Sequence, residues 1–545
     1  MTASVNLSFA TVEELGRLLR DGRTTPTELA EHFLTRLEIV GRDLNAVAAV
    51  TRDLALAQAA EAEAELAAGR DRGPLHGIPY GAKDLLATSG IPTTWGAAPF
   101  KEQVFAEDAA VVGRLREAGA VLVAKLAMVE LAGGFGYDQP DAAWTGPGRN
   151  AWSTEAWAGG SSSGSGAAVA AGAVPFAIGS ETWGSITTPA ALNGIAGLRP
   201  TYGRVSRAGA MALSWSMDKI GPMARTAMDC ATILDTISED PVTAVMGEGG
   251  SPSSVPPADG FRLAVLRGAT DGAQPAVRAN FETALGVLAH IAILEEVDLP
   301  DLPFDEAAHI VILAEGAAAF EEFIGSGAAA SLTAPEDRVG LYEGLTLPAV
   351  DYLRALRIRR LGGKALDSLL ASFDAIVAPT LRGVAPPITG TFAALVETHG
   401  PALGAAGNLC GVPAITVPNG FGDGGLPTGL EFMGRAFDEG AHPGGGTGVP
   451  GADGLAHAPA HSGIASRGCA LPASGSDRFR ARAGHGHQAA DRQGRQSPGR
   501  WHRRSARASQ RRRQGPVPRR EGARRERWLE GGRGSPRQPR TSPRP

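Results

Sequence analysis

The sequence predicts an α/β protein in which helices cover a largely parallel or mixed sheet. Its 545 residues are 43% hydrophobic and 20% charged, with a mean hydropathy of −0.06, which is typical of globular proteins. From about residue 74 onward, short apolar stretches alternate with helical patterns. Because the chain is longer than one ordinary hydrophobic core supports, we expect one large domain or two domains.

The N-terminal segment, residues 1–70, predicts helices with clear start signals. Thr11 and Glu14 form a capping box, in which each side chain can bind a backbone N–H of the first turn. Thr25 and Glu28 repeat the pattern, with proline at the first helical position, where its missing donor costs nothing. An alanine- and glutamate-rich stretch at 54–68 predicts a further helix.

Residues 71–440 carry the alternating strand and helix pattern and are expected to form the main body. Residues 248–258, rich in glycine, serine and proline, predict a surface loop or linker. Six apolar stretches are expected to be strands: Leu75–Tyr80, Ala120–Ala124, Val174–Ile178, Phe261–Leu266, Ala375–Ala378 and Ala414–Val417.

The last part of the chain, residues 441–545, differs sharply in charge from the rest. It holds 22 arginines, no lysine and 6 acidic residues, a net charge of +16, whereas residues 1–440 hold 30 basic and 51 acidic residues, a net charge of −21. This tail is dense in Arg, Gly and Pro without apolar periodicity, so we expect it to be disordered. Its dominant residues, Arg, Gly, Pro and Ala, have GC-rich codons, which favours a frame-shifted reading of a GC-rich gene over a genuine basic tail.

Composition also excludes several classes of protein. The longest apolar stretch, 167–179, is shorter than the roughly 18 residues that a membrane span needs. The N-terminus has no apolar core of a signal peptide. The three cysteines, Cys230, Cys410 and Cys469, are not spaced as a metal or redox site. We therefore expect a cytoplasmic protein without a cysteine metal site.

The most informative stretch lies between residues 159 and 189. Val174–Ile178 predicts a strand, and Thr188-Pro189 predicts a helix start capped by threonine. Ser185 would then lie between a strand end and a helix N-terminus, where backbone N–H groups of residues 182–185 can stabilise an oxyanion. A tight loop with a structural serine remains an equally good interpretation of this segment alone.

Three other interpretations of the glycine- and serine-rich stretch are weaker. A flexible linker does not fit between two tryptophans and a buried apolar run, and a phosphate-binding loop fails because Ser165 stands where lysine is needed. The Gly160–Gly164 match to a nucleophile elbow lacks a preceding strand. Ser216 and Lys219 match the S-x-x-K pattern, but its partner motifs are missing from the chain.

A serine nucleophile needs a base, and Lys83 is the candidate. It ends an apolar stretch where a charge is costly, and Asp84 would point to the opposite face of a strand and leave it unneutralised. Burial makes a lysine lose its proton near neutral pH. Taken alone, a lysine whose ammonium group reaches solvent is the commoner case.

These residues together resemble the amidase signature family. The resemblance rests on Gly159-Gly160-Ser161-Ser162, on Gly184-Ser185-Ile186, on the Gly77–Asp84 run around Lys83, and on the Gly197–Arg207, Asp218–Met223 and Gly411–Ala414 runs. It covers about residues 8–439 and implies one large α/β/α domain around a central mixed sheet.

The resemblance also implies a catalytic triad and a set of binding residues. Ser185 takes the nucleophile position, Ser161 is the relay serine that follows a cis peptide bond, and Lys83 is the general base. The oxyanion and substrate would be bound by Thr182, Trp183 and Gly184. No metal and no cofactor are implied.

Two departures from the family pattern shape the expected substrate. Trp183 stands where many members have glycine, which would place a large ring near the pocket. Thr187 and Thr188 occupy positions where members that act on carboxylate-bearing substrates often carry arginine. We therefore expect hydrolysis of a small, neutral carboxylic amide.

Two alternatives stay open. One is the A subunit of a glutamyl-tRNA amidotransferase, which would act with other subunits. The other, from a different class, is a nucleic-acid-binding protein acting through the basic tail, although that tail lacks the interleaved aromatic residues of a single-strand binder. Otherwise the expected partner is the amide substrate, with no membrane and no nucleic acid, and a homo-oligomer remains open.

Overall fold

A central mixed sheet of eleven strands organises the computed structural model, which describes residues 6–136, 138–238, 260–391 and 402–439. The strands are β1 Val47–Val50, β2 Pro79–Lys83, β3 Val121–Leu126, β4 Phe176–Glu181, β5 Ala196–Arg199, β6 Lys219–Ala224, β7 Phe261–Leu266, β8 Ala292–Val297, β9 Ala375–Pro379, β10 Ala414–Phe421 and β11 Pro427–Met433.

Helices pack on both faces of this sheet. They are α1 Val12–Arg20, α2 Pro26–Arg36, α3 Arg52–Ala67, α4 Ala110–Glu117, α5 Ser163–Ala170, α6 Thr187–Asn193, α7 Ala227–Ile237, α8 Pro275–Leu288, α9 Phe304–Ala319, α10 Glu321–Gly325, α11 Ala349–Leu370 and α12 Gly404–Cys410.

The strand order is β1-β3-β2-β4-β6-β5-β10-β11-β9-β7-β8. β2 runs parallel to both β3 and β4, and β7 runs parallel to β8 and β9. The strands between these two parallel groups pair antiparallel, as do β1 and β3. The mixed α/β architecture expected from the sequence is confirmed.

Alternate residues of the strands enter the cores on opposite faces of the sheet. Phe176 and Ile178 of β4 belong to one buried cluster, and Ala177 belongs to another. In β9, Val377 and Ile376 divide between two clusters in the same way. This alternation is what a strand covered on both faces requires.

The N-terminal helices begin where the capping boxes predict. The Thr11 side chain accepts the Glu14 N–H at 3.0 Å, and the Glu14 carboxylate accepts the Thr11 N–H at 2.9 Å. Thr25 and Glu28 make the same reciprocal pair at the start of α2. The sequence did not predict β1, a short half-buried strand that pairs with β3 at the sheet edge.

Two predicted strands lie further along the chain than expected, for the same reason. Leu75–Ile78 forms a turn, closed by the Ile78 N–H to Leu75 carbonyl bond at 3.1 Å, and β2 follows it. Val174 still closes the end of α5, since its N–H donates to the Ala168 carbonyl, and β4 starts only at Phe176. In both cases buried apolar residues belong to the turn, and the polar residues after them lie in the strand.

Several predictions fall outside the described residues. The linker at 248–258 and the tail at 441–545 are among them. In the part of the chain that the structure describes, no helix is both long and apolar enough to cross a bilayer.

Candidate active site

Lys83 lies at the end of β2, fully buried between two parallel neighbours. Its Nζ donates to Ser161 Oγ at 2.8 Å and to Ser180 Oγ at 2.9 Å. Burial lowers the pKa of Lys83 to about 7, although the more distant carboxylates of Asp218 and Glu181 act in the opposite direction. A substantial fraction of this amine is therefore neutral near pH 7, with two hydroxyl groups in contact.

Asp84 does not neutralise Lys83, as the strand geometry predicted. Its carboxylate lies 3.2 Å from Lys125 Nζ and also accepts the Thr94 N–H at 3.0 Å. Both Asp84 and Lys125 are buried, and the two charges are paired with each other beside the site. Lys83 is left with uncharged hydroxyl partners.

Ser161 follows a cis peptide bond, Gly160–Ser161, as the family resemblance implied. The next residues turn directly into α5, and the Ser162 hydroxyl bonds the Ser180 carbonyl at 3.2 Å. Among the described residues no strand leads directly into this turn, which is why the nucleophile-elbow interpretation fails here. Ser161 is thereby fixed beside Lys83.

Ser185 lies in the loop between β4 and α6, and its carbonyl accepts the Ser162 N–H at 3.3 Å. This main-chain bond brings the Ser185 loop beside the Ser161 turn. Within the described ranges, the Ser185 hydroxyl makes no hydrogen bond. Nucleophile–base contacts of this kind commonly tighten only when substrate binds.

The loop before Ser185 presents unused backbone donors. Among the residues described, the N–H groups of Trp183, Gly184 and Ser185 donate to no protein acceptor. Gly184 has φ of +92°, a conformation that favours glycine and turns the backbone sharply. Free N–H groups on a tight turn next to a hydroxyl are the arrangement that stabilises an oxyanion.

Glu181, which the sequence analysis missed, binds the backbone of the two residues that follow Ser185. Its Oε2 accepts the N–H groups of Ile186 at 2.8 Å and Thr187 at 2.9 Å. Its Oε1 accepts Arg199 Nη1 at 3.0 Å and Asn408 Nδ2 at 2.9 Å. Although burial raises the pKa of Glu181, these contacts outweigh it and hold the pKa at about 2.

Glu181 also explains why the predicted threonine cap is wrong. Helix α6 begins at Thr187, two residues before the expected first helical residue Pro189, and its N-cap position is Ile186 without a side-chain hydrogen bond. The Glu181 carboxylate already binds the first free N–H groups of the helix, so a capping hydroxyl is not needed. Thr187 is buried, and its hydroxyl lies 3.3 Å from Glu181.

Asp218 connects Thr182, the first residue of the Ser185 loop, to the backbone of Leu213 and Ser214. The Thr182 hydroxyl donates to Asp218 Oδ1 at 2.6 Å, and Asp218 Oδ2 accepts the N–H groups of Leu213 and Ser214 at 2.8 and 2.9 Å.

The Ser216 hydroxyl binds Glu315 at 2.6 Å and does not contact Lys219, whose Nζ donates to the Met217 carbonyl. The S-x-x-K match is therefore not a serine–lysine pair.

A cavity of about 1130 Å³ opens beside the site. Ser180 and Thr182 line its inner end, whereas its outer wall includes Tyr202, Trp215 and part of α11. Trp183 does not line it, because its ring packs on the apolar cluster that contains Met217. Because Ser185 does not line this cavity either, the expected effect of the Trp183 ring on the substrate pocket stays a prediction.

The described ranges contain no group of three or more His, Cys, Asp or Glu side chains arranged to hold a metal ion.

Comparison with known proteins decides the family. The Amidase family model matches residues 28–441. The chain belongs to the amidase family. It is therefore an enzyme that cleaves amide bonds, as the sequence predicted.

Relatives within the family are spread over several activities. The A subunit of glutamyl-tRNA(Gln) amidotransferase from Roseiflexus sp. is 37% identical over 463 residues, which cover 79% of this chain and 93% of the relative. The solved peptide amidase of Stenotrophomonas maltophilia is 34% identical, with a TM-score of 0.70 over 79% of this chain and 94% of that one. The solved A subunit of glutamyl-tRNA(Gln) amidotransferase from Thermotoga maritima is 28% identical, with a TM-score of 0.66 over 80% and 93%.

Proposed function

We propose that the chain hydrolyses its amide substrate through an acyl-enzyme on Ser185. The observation that carries this proposal is the 2.8 Å contact between the buried amine of Lys83 and the Ser161 hydroxyl, with no carboxylate paired to the lysine. A neutral amine in contact with a hydroxyl is a proton acceptor poised for a relay.

In the proposed mechanism, protons move along the relay toward Lys83 when Ser185 attacks, and they move back when the leaving nitrogen departs. Neutral Lys83 accepts the Ser161 proton while Ser161 accepts the Ser185 proton, and Ser185 Oγ attacks the carbonyl carbon. The N–H groups of the Thr182-Trp183-Gly184-Ser185 loop bind the oxyanion. The proton returns along the relay to the departing nitrogen as the C–N bond breaks, and water then hydrolyses the acyl-enzyme.

For the substrate, we propose a small neutral carboxylic amide. Neither position that could carry a substrate-binding arginine does so, and the Thr187 hydroxyl points toward Glu181. A carboxylate placed close to the scissile bond would lose its hydration without gaining a cation, which is costly.

The A subunit of a glutamyl-tRNA amidotransferase is the second candidate, and the curated relatives support it more strongly than the first. The two Roseiflexus relatives with that name are 37% and 38% identical, and the match covers 93% of each. In that case glutamine would serve as the ammonia donor, and the chain would work with other subunits.

Ammonia release separates the two candidates. The chain alone would be tested on acetamide, butanamide, benzamide, malonamate and glutamine, and glutamine would be tested again with the other subunits of an amidotransferase. Hydrolysis of the neutral amides with a higher kcat/KM than glutamine or malonamate supports the first proposal. Glutamine cleavage that requires the other subunits supports the second and overturns the first.

A further inference from the structure

The outer part of the 1130 Å³ cavity is unusually rich in positive charge. Its lining includes four cations apart from the buried Lys219, and they are Arg207, Arg359, Arg360 and Lys364. Asp218 is the one carboxylate among the lining residues, and its two oxygens already accept the Thr182 hydroxyl and two N–H groups.

These four cations have no acidic partner within the described residues. None of them lies within 4.0 Å of a carboxylate oxygen, whereas Arg354, on the same helix α11, lies 2.9 Å from Asp351. Like charges gathered in one concave surface raise its potential and attract anions. The charge is therefore available to a ligand.

Two of the arginines are also held in place. Arg207 donates to the Trp215 carbonyl, and Arg359 donates to the Ser216 carbonyl. Both guanidinium groups lie over the Tyr202 ring, at 4.4 and 5.7 Å from its centre. Groups positioned before binding lose less conformational freedom when a ligand arrives.

At its other end the same cavity lies next to the candidate active site, although Lys83, Ser161 and Ser185 do not themselves line it. Ser180, which lines it, bonds Lys83, and Thr182 begins the loop that leads to Ser185. The volume also exceeds what a small amide fills, since ligand pockets of about 300–1,000 Å³ usually hold drug-sized molecules. One elongated molecule can therefore occupy both ends.

From this juxtaposition we infer that the outer cavity is a subsite for an anionic group, a carboxylate or a phosphate, carried by the amide substrate far from the scissile bond. The inference rests on the proposed hydrolysis through Ser185, and it changes the proposed substrate from a small neutral amide to a longer one that is neutral only beside the scissile bond. The acyl part next to Ser185 stays neutral, while the remote end of the substrate pairs with Arg360, Lys364 and the two held arginines.

The test is a series of amides of increasing length that end in a carboxylate, from malonamate through succinamate and adipamate to suberamate. Each is compared with the neutral alkanamide of the same chain length, and an eight-carbon amide ending in a phosphate tests the second kind of anion. We expect the neutral amide to be preferred at the shortest length and the anionic one at longer lengths. The preference should shrink as NaCl rises from 20 to 500 mM, because salt screens exposed charges.

The Arg360→Gln/Lys364→Gln double variant should raise KM for the long anionic amides about three- to tenfold, the size expected for exposed charge pairs, and leave kcat/KM for the neutral amides unchanged. Both side chains are exposed and make no hydrogen bond in the described structure, so we expect the double variant to fold normally. Arg354→Gln, on the same helix but outside the cavity, is the matched control and should change neither value.

Three results would count against the inference in different ways. If the neutral amides are hydrolysed but no anionic amide is preferred at any length, the subsite is wrong and the proposed function stands. If the chain hydrolyses no amide of either kind, the proposed function fails and the subsite fails with it. Unchanged kinetics in the double variant together with a higher Tm would also count against it, since the cations would then only repel one another.

Discussion

Two buried lysines flank strand β4, and they differ in the groups that they contact. Lys83 ends β2 on one side, and Lys219 begins β6 on the other. Burial lowers the pKa of each to about 7. Lys83 contacts the hydroxyls of Ser161 and Ser180, however, whereas Lys219 donates to the main-chain carbonyl of Met217.

The difference shows what burial alone supplies. It makes a lysine neutral near pH 7, but a neutral amine becomes a base for a nucleophile only when a group that can give up a proton lies beside it. A carbonyl oxygen has no proton to give. The neighbours of the two lysines therefore distinguish the candidate base from a structural lysine.

The largest effect is expected at the nucleophile. Ser185→Ala should abolish measurable amide hydrolysis and covalent labelling by a serine-directed phosphonate, because no other group would form the acyl-enzyme. The loss should be at least about 10³-fold, as for other serine nucleophiles. Near-normal turnover by this variant would refute the assignment.

The same substitution at the two lysines tests the comparison directly. Lys83→Met should lower kcat by at least about 10³-fold, and Ser161→Ala should cost a similar factor, because members of a relay fail together. Lys219→Met removes an equally buried amine that contacts no hydroxyl group, so it should change kcat by less than about tenfold in a folded variant. Ser165→Ala, which removes only a long contact to the Ile178 carbonyl, is the control for Ser161.

Circular dichroism and Tm measurements would show whether each variant is folded. Equal losses at the two lysines in folded proteins would mean that burial, and not the hydroxyl neighbours, defines the functional lysine. That outcome would contradict the conclusion that the hydroxyl neighbours distinguish Lys83 from Lys219.

The pH profile should identify the same lysine. The base works when neutral, so kcat/KM for a neutral amide should rise with pH through an apparent pKa near 7, the value for Lys83, and fall about tenfold per pH unit below it. The rise should persist in Lys219→Met. If this variant instead loses the rise, the titration belongs to Lys219.

The smallest effect is expected from the basic tail. Deleting residues 441–545 should leave kcat/KM unchanged, whereas restoring the other reading frame near codon 441 should raise Tm and solubility. Activity assays and thermal melts of both forms check this. Loss of activity on deletion, or the lack of a readable alternative frame that encodes an amphipathic helix, would contradict it.

Features set by neighbouring residues were predictable from the sequence. The two capping boxes place the starts of α1 and α2 correctly, because each box consists of groups three residues apart. Phe261–Leu266 is the strand that was predicted, with the same ends. Local patterns marked Lys83 and Ser185 as candidates, the family resemblance added Ser161, and the structure places Lys83 against Ser161.

Contacts between distant segments could not be predicted in this way. Glu181 binds Asn408, which lies 227 residues further along the chain, and Asp218 reaches back to Thr182. No local pattern marks such partners. The one available signal was a charged residue that ends the apolar run before the Ser185 loop, and its meaning depended on the fold.

The order of strands in the sheet has a consequence for how the protein is made. Strands β1–β6 form one half of the sheet and β7–β9 the other, and they are joined only by β10 and β11, the last two strands described. Asn408, which completes the contacts of Glu181, precedes β10 directly.

A ribosome must therefore release almost the whole described chain before the sheet becomes continuous and the Ser185 loop gains its last support. Pairings between such distant segments form slowly, and until they form the open strand edges are exposed to aggregation. Nascent chains that stop before residue 408 would lack this support of the Ser185 loop, so we expect the time from synthesis to activity to depend on the last strands to emerge.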